Sequence, residues 1–291
     1  MKDQKVGDVH VARLVEMEGP MFPATLMLPD WNDEILNRHR HWIEPGYYDP
    51  STQNFVIAIQ SHIVHTRKHT ILVDTCVGNH KTRNIAPAWN NLNLPWLENL
   101  KGKGGVQPEE VDFVLCTHLH IDHVGWNTRL LNGRWVPTFP NAKYVMSRTD
   151  YDHWGKDRQS WVIDGSYDDS VLPVVEAGQA LFVDDKGFAL DDEAWVEPSP
   201  GHTPGHLSLR VKSKGMGALF VGDALHHPVQ VYHPELHNGA DVDPDLARRT
   251  RKAILESLAD TSQLMLPAHF ASPSGGRVKG AAKGFTWEWA K

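Results

Sequence analysis

The feature that most constrains this 291-residue chain is the string Thr117-His118-Leu119-His120-Ile121-Asp122-His123-Val124-Gly125, with four metal-competent side chains inside six residues. It follows Val111 to Cys116, an apolar run that reads as a buried strand. The string is therefore delivered at a strand end, on the rigid scaffold edge where functional residues concentrate. In extended backbone the side chains at i and i+2 point the same way, so His118 and His120 can converge on one cation. A turn then presents Asp122 and His123 to a second. An ordinary polar loop does not account for that density.

Three later positions have the same setting: His202 in Ser199-Pro200-Gly201-His202-Thr203-Pro204-Gly205-His206, Asp223 in Phe220-Val221-Gly222-Asp223, and His269 in Leu266-Pro267-Ala268-His269. Each follows an apolar strand-like run and sits beside Gly or Pro, where the chain can turn sharply. Histidine is also abundant, at 18 residues against 9 Phe and 7 Met, which points to metal binding or proton chemistry. The net charge of −7 argues against nucleic acid as a partner. With 41% hydrophobic residues the chain can fill a real core, which excludes disorder. No apolar stretch of signal-peptide or membrane-spanning length occurs, and Cys76 and Cys116 lie in strand-like segments as buried, reduced thiols. A cytoplasmic protein with a small-molecule substrate and no membrane partner is expected. Gly102, Gly104 and Gly105 lack the Gly-Lys-Ser/Thr of a phosphate cradle, and no Gly-x-Ser-x-Gly elbow is present.

Alternation predicts a strand over Val9 to Val15 and two strands within Asn54 to Asp74 joined around Thr66-Arg67-Lys68. Further strands are expected at Lys143 to Ser147, Phe182-Val183, Ala194 to Pro198, Leu207 to Val211, Ala218 to Val221 and Gln263 to Leu266, with a helical turn over Thr149 to Trp154. Asp243-Pro244 supplies an N-cap and an N1 proline for a helix to about Ala259, with Leu246, Ala247, Thr250, Ala253, Ile254, Ser257 and Leu258 on one face. Sheet-rich halves with helices between them, and no break in composition, indicate one α/β domain of packed layers over 1–291. Residues 17–50, rich in Pro, Trp, Met and Tyr without a clean period, read as a loop-rich N-terminal extension of packed loop or short helices. That segment is a candidate lid or homodimer contact.

Taken in order, His-x-His-x-Asp-His, Gly-His-Thr-x-Gly-His, Gly-Asp and a late His resemble the metallo-β-lactamase-fold hydrolase superfamily, from about Asn54 to Phe270. The resemblance implies a four-layer αββα sandwich carrying two divalent metal ions at one sheet edge. By motif position His118, His120 and His202 would hold one ion, Asp122, His123 and His269 the other, and Asp223 would bridge them. Imidazole and carboxylate ligands make Zn2+ the expected metal, with Fe, Mn and Co compatible. A bridging hydroxide would be the nucleophile, Asp122 would orient it and return a proton, and the residual positive charge would stabilise an oxyanion. His206 repeats the Gly-His pattern but is assigned to the support of a ligand. His62, His65 and His69 read as strand and hairpin residues; Trp126, Phe270, Tyr232 and His233 are pocket-wall candidates by proximity alone, with a core aromatic as the default reading.

Within the superfamily, His120 replaces the Glu of flavo-diiron proteins, and Asp223 is a bridging carboxylate that true metallo-β-lactamases lack. Glyoxalase-type thioesterases carry a larger C-terminal region than Ala271 to Lys291. The resemblance is therefore nearest the branch of quorum-quenching lactonases and methyl-parathion-hydrolase-like proteins. Acyl-homoserine lactonases place a Tyr three residues after the bridging Asp, and here that residue is His226, a candidate substrate contact. Hydrolysis of a hydrophobic ester, foremost a lactone, is the expected activity. Organophosphate triester hydrolysis is the alternative, and a thioesterase, a β-lactamase or a non-catalytic metal-binding module stand behind it.

Overall fold

A computed structural model describes residues 3–290. One sheet runs in the order Gln4–Val6, Val9–Pro23, Asn54–His65, Thr70–Val73, Phe113–Leu115, Lys143–Ser147, Ala180–Val183, with Tyr48–Asp49 paired to Asn54–His65. The other runs Phe188–Ala189, Ala194–Pro198, Leu207–Ser213, Met216–Gly222, Leu264–Pro267, Gly276–Gly280, Phe285–Trp289. Period-two alternation sorts their side chains into layers. Ile71 and Val73 enter the core between the sheets while Leu72 faces the opposite way, and Ala218 and Phe220 alternate with Leu219 and Val221 in the same manner. The outward face of the first sheet packs on Trp96 and Leu100 of the helix Trp96–Gly102 and on Trp154 of Arg148–Lys156. That of the second packs on Leu255 and Leu258 of Pro244–Leu258. The result is the expected αββα sandwich.

Topology brings the chemistry to one edge. Thr70–Val73, Phe113–Leu115 and Lys143–Ser147 are mutually parallel, as are Met216–Gly222 and Leu264–Pro267, so the loops that leave their C-terminal ends gather together. Backbone bonds stitch the two sheets at that edge: Leu207 N donates to Thr117 O at 2.7 Å, and Ala58 N to His269 O at 3.0 Å.

Residues 17–50 are more regular than a packed loop. The strand expected to end at Val15 runs on to Pro23, with register shifts at Val15/Met17 and Pro20/Phe22, and the helices Ala24–Met27 and Asp33–Ile43 follow. Each bulge resets which face a side chain occupies, so alternation fails although pairing with Asn54–His65 continues. The helix Pro244–Leu258 begins as expected, with Asp243 Oδ1 accepting from Leu246 N at 2.9 Å. Its buried stripe is Ala247, Arg251, Leu255 and Leu258 rather than the face expected from the sequence, and Ala253 and Ser257 are exposed. Cys76 and Cys116 are free, buried thiols. Among the described residues no helix is long and apolar enough to cross a membrane.

Burial also makes the fold acid-labile. His62, edge-on to Phe220, and His227, stacked on Phe55 and donating to Tyr47 O, are both pushed down to about 3 by burial. An unfolded chain takes up protons on these imidazoles below about 6.5, where the folded one refuses them. Their contribution is thus fully present above about 6.5 and is lost as pH falls toward 3. The melting temperature of chelator-treated protein should fall across this window, and His62→Leu should make the fall shallower; a pH-independent melting temperature would contradict the assignment.

Candidate metal centre

The seven residues singled out from the sequence meet at this edge. His118, His120 and His202 form one group with ligand atoms within 4.8 Å of one another, Asp122, His123 and His269 a second, and Asp223 joins His118 and His123 between them. All are buried except Asp122, whose side chain keeps 13% of its exposure. Asp223 is the hub. Its Oδ2 lies 3.1 Å from His269 Nε2, 3.4 Å from His202 Nε2 and 3.0 Å from His226 Nε2, and its Oδ1 lies 3.4 Å from His123 Nε2.

The outer nitrogens fix how the rings face. His123 Nδ1 donates to Asp74 Oδ2 at 2.9 Å, His269 Nδ1 to Ala58 O at 2.9 Å, and His202 Nδ1 to Asp241 Oδ1 at 2.8 Å. Thr117 Oγ1 donates to Asp74 Oδ2 and so accepts from His118 Nδ1 at 3.1 Å. In a neutral imidazole a donating Nδ1 leaves Nε2 as a lone pair. Lone pairs of His123 and His269 therefore face each other at 3.2 Å, and that of His202 meets His120 Nδ1 at 3.1 Å. Nε2 of His118, Nε2 of His120 and Asp223 Oδ1 are buried without a hydrogen-bond partner. Such a concentration of inward acceptors fits divalent cations and little else.

The electrostatics divide the cluster in two. Burial, joined by neighbouring imidazoles, holds His118 and His120 well below the usual imidazole range, as ligands must be. Burial would lower His123 and His269 too, yet the carboxylates of Asp223 and Asp122 win and raise both. Burial would raise Asp223, but the surrounding imidazoles hold it well below the ordinary carboxylate range.

Supporting groups lie farther off in sequence. His206 keeps the supporting place expected of it: Nδ1 meets Ser199 Oγ at 2.8 Å, and Nε2 accepts from the Asp223 backbone at 3.0 Å. Asp74, Asp241, Glu16 and Arg251 were not singled out from the sequence. The half-buried Glu16 carboxylate accepts from Val77 N, Gly78 N and Trp126 Nε1, binding the loop after Asp74 to the turn after His123. Arg251 donates through Nε to Ala224 O at 2.8 Å and stands 3.6 Å from Asp241 Oδ2, behind His202. No local pattern marks these residues.

Of the wall candidates only His226 reaches the cavity, and the aromatics follow the default reading of core packing. His226 does line the cavity beside Asp223. Trp126 instead stacks on Trp96, Phe270 packs in the core against Trp287, and Tyr232 and His233 meet Trp42 and His39 behind the site. Burial of a large ring against its own layer outweighs nearness in sequence to a ligand.

Loss of a carboxylate that orients a ligating imidazole commonly costs about 10- to 100-fold in metal affinity. Asp241→Asn and Asp74→Asn should each weaken binding of one ion by that order in a competitive chelator titration, with the fold kept by circular dichroism. Wild-type affinity in both would remove these residues from the centre.

The family model described as the metallo-beta-lactamase superfamily matches residues 55–269. An N-acyl homoserine lactonase of Bacillus thuringiensis is 22% identical over 183 residues, which is 59% of this chain and 60% of that protein. The chain thus spans about 60% of the length of that lactonase. Metallo-beta-lactamase domain-containing protein 1 of Xenopus laevis is 28% identical over 69% of this chain and 66% of its own. Among solved structures, the hydrolase AbOPH in the beta lactamase superfamily superposes with a TM-score of 0.80 at 25% identity, covering 99% of this chain and 98% of that one. AidC, a dizinc quorum-quenching lactonase in complex with its product N-hexanoyl-L-homoserine, gives 0.80 at 23% identity over 100% and 97%. With its strand-end ligand groups in place and the family pattern matched from 55 to 269, the chain belongs to the metallo-beta-lactamase superfamily.

Proposed function

We propose that this chain is a metal-dependent hydrolase of a neutral, apolar ester, with a lactone as the leading substrate. The observation that carries the reading is the cavity over the centre, about 810 Å³, which reaches His120, Asp122, His202, Asp223, His226 and His269 at its floor. Its walls are mostly apolar, with Met, Phe, Ile, Leu, Val, Trp, Ala and Pro side chains and the neutral polar Thr25 and Asn238, and no Lys or Arg is among the described residues that line it. A buried anion without a cationic partner is costly. This disfavours substrates that would lay an anion against the walls, away from the metal ligands, such as a glutathione thioester, and favours a substrate whose main polar group lies at the floor. Met17, Met21 and Met27 come from the N-terminal extension, so this segment supplies a wall of the site, in keeping with a lid.

Two divalent ions, when bound by the ligand groups, would polarise the carbonyl and lower the pKa of water toward about 7. Zinc is the metal we assign, in line with the imidazole-rich donor set. The protein's own groups supply the rest. The apolar walls align the substrate and exclude bulk water. Asp122, the one partly exposed carboxylate of the cluster, is placed to take a proton from the attacking water and return it to the leaving alkoxide. His226, 3.0 Å from Asp223 Oδ2, fixes that carboxylate and shapes the floor. Its short ring, in place of a phenol, also leaves room for a tetrahedral phosphorus centre. Phosphotriester hydrolysis is therefore the second reading.

Acid release from lactones of rising ring size and acyl length, set beside aryl phosphotriesters and an anionic β-lactam, tests the proposal. Chelator-sensitive lactone turnover, reduced to background in His118→Ala with unchanged circular dichroism, is expected. No acid release from fully metallated protein, with phenoxide release from the triesters, would favour the second reading. Turnover confined to the β-lactam would overturn both.

A further inference from the structure

Three large apolar side chains at the mouth of the cavity are left exposed: Leu26 at 57%, Ile85 at 53% and Trp161 at 52%. Ile85 and Trp161 belong to two different loops, 82–89 and 157–164, which face each other across the opening. Such loops would drift apart unless held, since apolar contact between exposed tips is weak.

They are held by charge. Ile85 N donates to Asp164 Oδ2 at 2.9 Å, a bond that runs directly from one lip to the other. Behind it Arg83, fully buried, donates through Nη1 to Asp164 O at 3.2 Å and grips Asp169 with both terminal nitrogens, at 2.7 and 3.1 Å. Lys81, also fully buried, donates to Thr128 Oγ1 and to Asp169 O. Asp169 sits in the one-turn π-helix Tyr167–Val171, a rare geometry that recurs at functional sites. The second loop is tied in turn to the metal loop: Ile121 N, next to Asp122, donates to Val162 O at 3.1 Å. An unbroken path of hydrogen bonds and backbone thus runs from Asp169 through Arg83 and Asp164 to both lips and on to the floor.

We propose that Arg83, Asp164 and Asp169 are specificity-determining residues, a clamp that fixes the separation of the Ile85 and Trp161 lips and thereby selects substrates by the bulk of their apolar part. None of the three lines the cavity or reaches the ligand groups, so the clamp acts on the width of the entrance and not on the reacting atoms. The inference rests on the reading of the cavity as the site of a neutral ester. Its physical basis is that a buried bidentate ion pair is rigid, and that losing one partner strands the other charge and loosens whatever the pair held.

The test uses the metallated full chain with Asp164→Ala and Asp169→Asn. Asp164 is only half-buried and bonds one lip amide, so its variant should fold even where Asp169→Asn does not. Amide hydrogen exchange should rise at least about tenfold in 83–89 and 160–165 and stay unchanged in the strand Phe113–Leu115. In the same variants KM should shift by about tenfold for bulky or long-chain esters, with kcat on a short ester kept within about twofold. Unchanged exchange in both lips overturns the clamp, as does an equal change of kcat/KM across all substrate sizes. If wild-type protein hydrolyses no ester at all, the proposed activity fails, while the exchange result still decides whether the clamp exists.

Discussion

The rest of the structure depends on one close juxtaposition. The Nε2 atoms of His123 and His269 face each other at 3.2 Å beside Asp223, because Asp74 and the Ala58 carbonyl each accept a hydrogen bond from the opposite nitrogen. Without a metal the carboxylates of Asp223 and Asp122 favour protons on these inward nitrogens; once deprotonated they form a ligand set that needs no rearrangement. The sandwich supplies the rigidity to hold it. Parallel strands from both sheets end at one edge, and the bonds Leu207 N to Thr117 O and Ala58 N to His269 O fasten that edge across the sheets. A polar cluster of this kind is sustained by the close packing of the two sheets, and the cavity opens over it.

Charge is partitioned in a matching way. Near the floor, carboxylates and imidazoles balance one another and await divalent cations. Among the described residues the walls carry no Lys or Arg, so selection among substrates falls to shape and apolar area. At the mouth, charge returns as buried ion pairs that face away from the substrate. Chemistry, recognition and access are thus carried by three different sets of residues, and each can be altered with limited effect on the others.

All seven grouped residues were legible in the sequence because they lie in short strings beside Gly or Pro at strand ends, where spacing alone restricts geometry. The sandwich was legible for a related reason, since most strands alternate cleanly between two cores. What stayed hidden depends on contacts distant in sequence. Asp74 precedes its partner His123 by 49 residues and sits in an unremarkable strand exit. Arg251 is a fully buried cation on a helix, and a search for an apolar stripe passes over it, which rotated the expected face of Pro244–Leu258. The strand Val9–Pro23 was cut short at Val15 because two bulges interrupt its alternation.

The central claim is that these side chains hold two ions side by side. X-ray absorption spectroscopy at the metal edge of the reconstituted protein, with metal content measured on the same sample, tests it most directly. The account predicts two ions per chain, a first shell of nitrogen and oxygen only, and metal–metal scattering at roughly 3.5–4 Å. A single bound ion with no metal–metal vector, or a sulfur-containing shell, would contradict it.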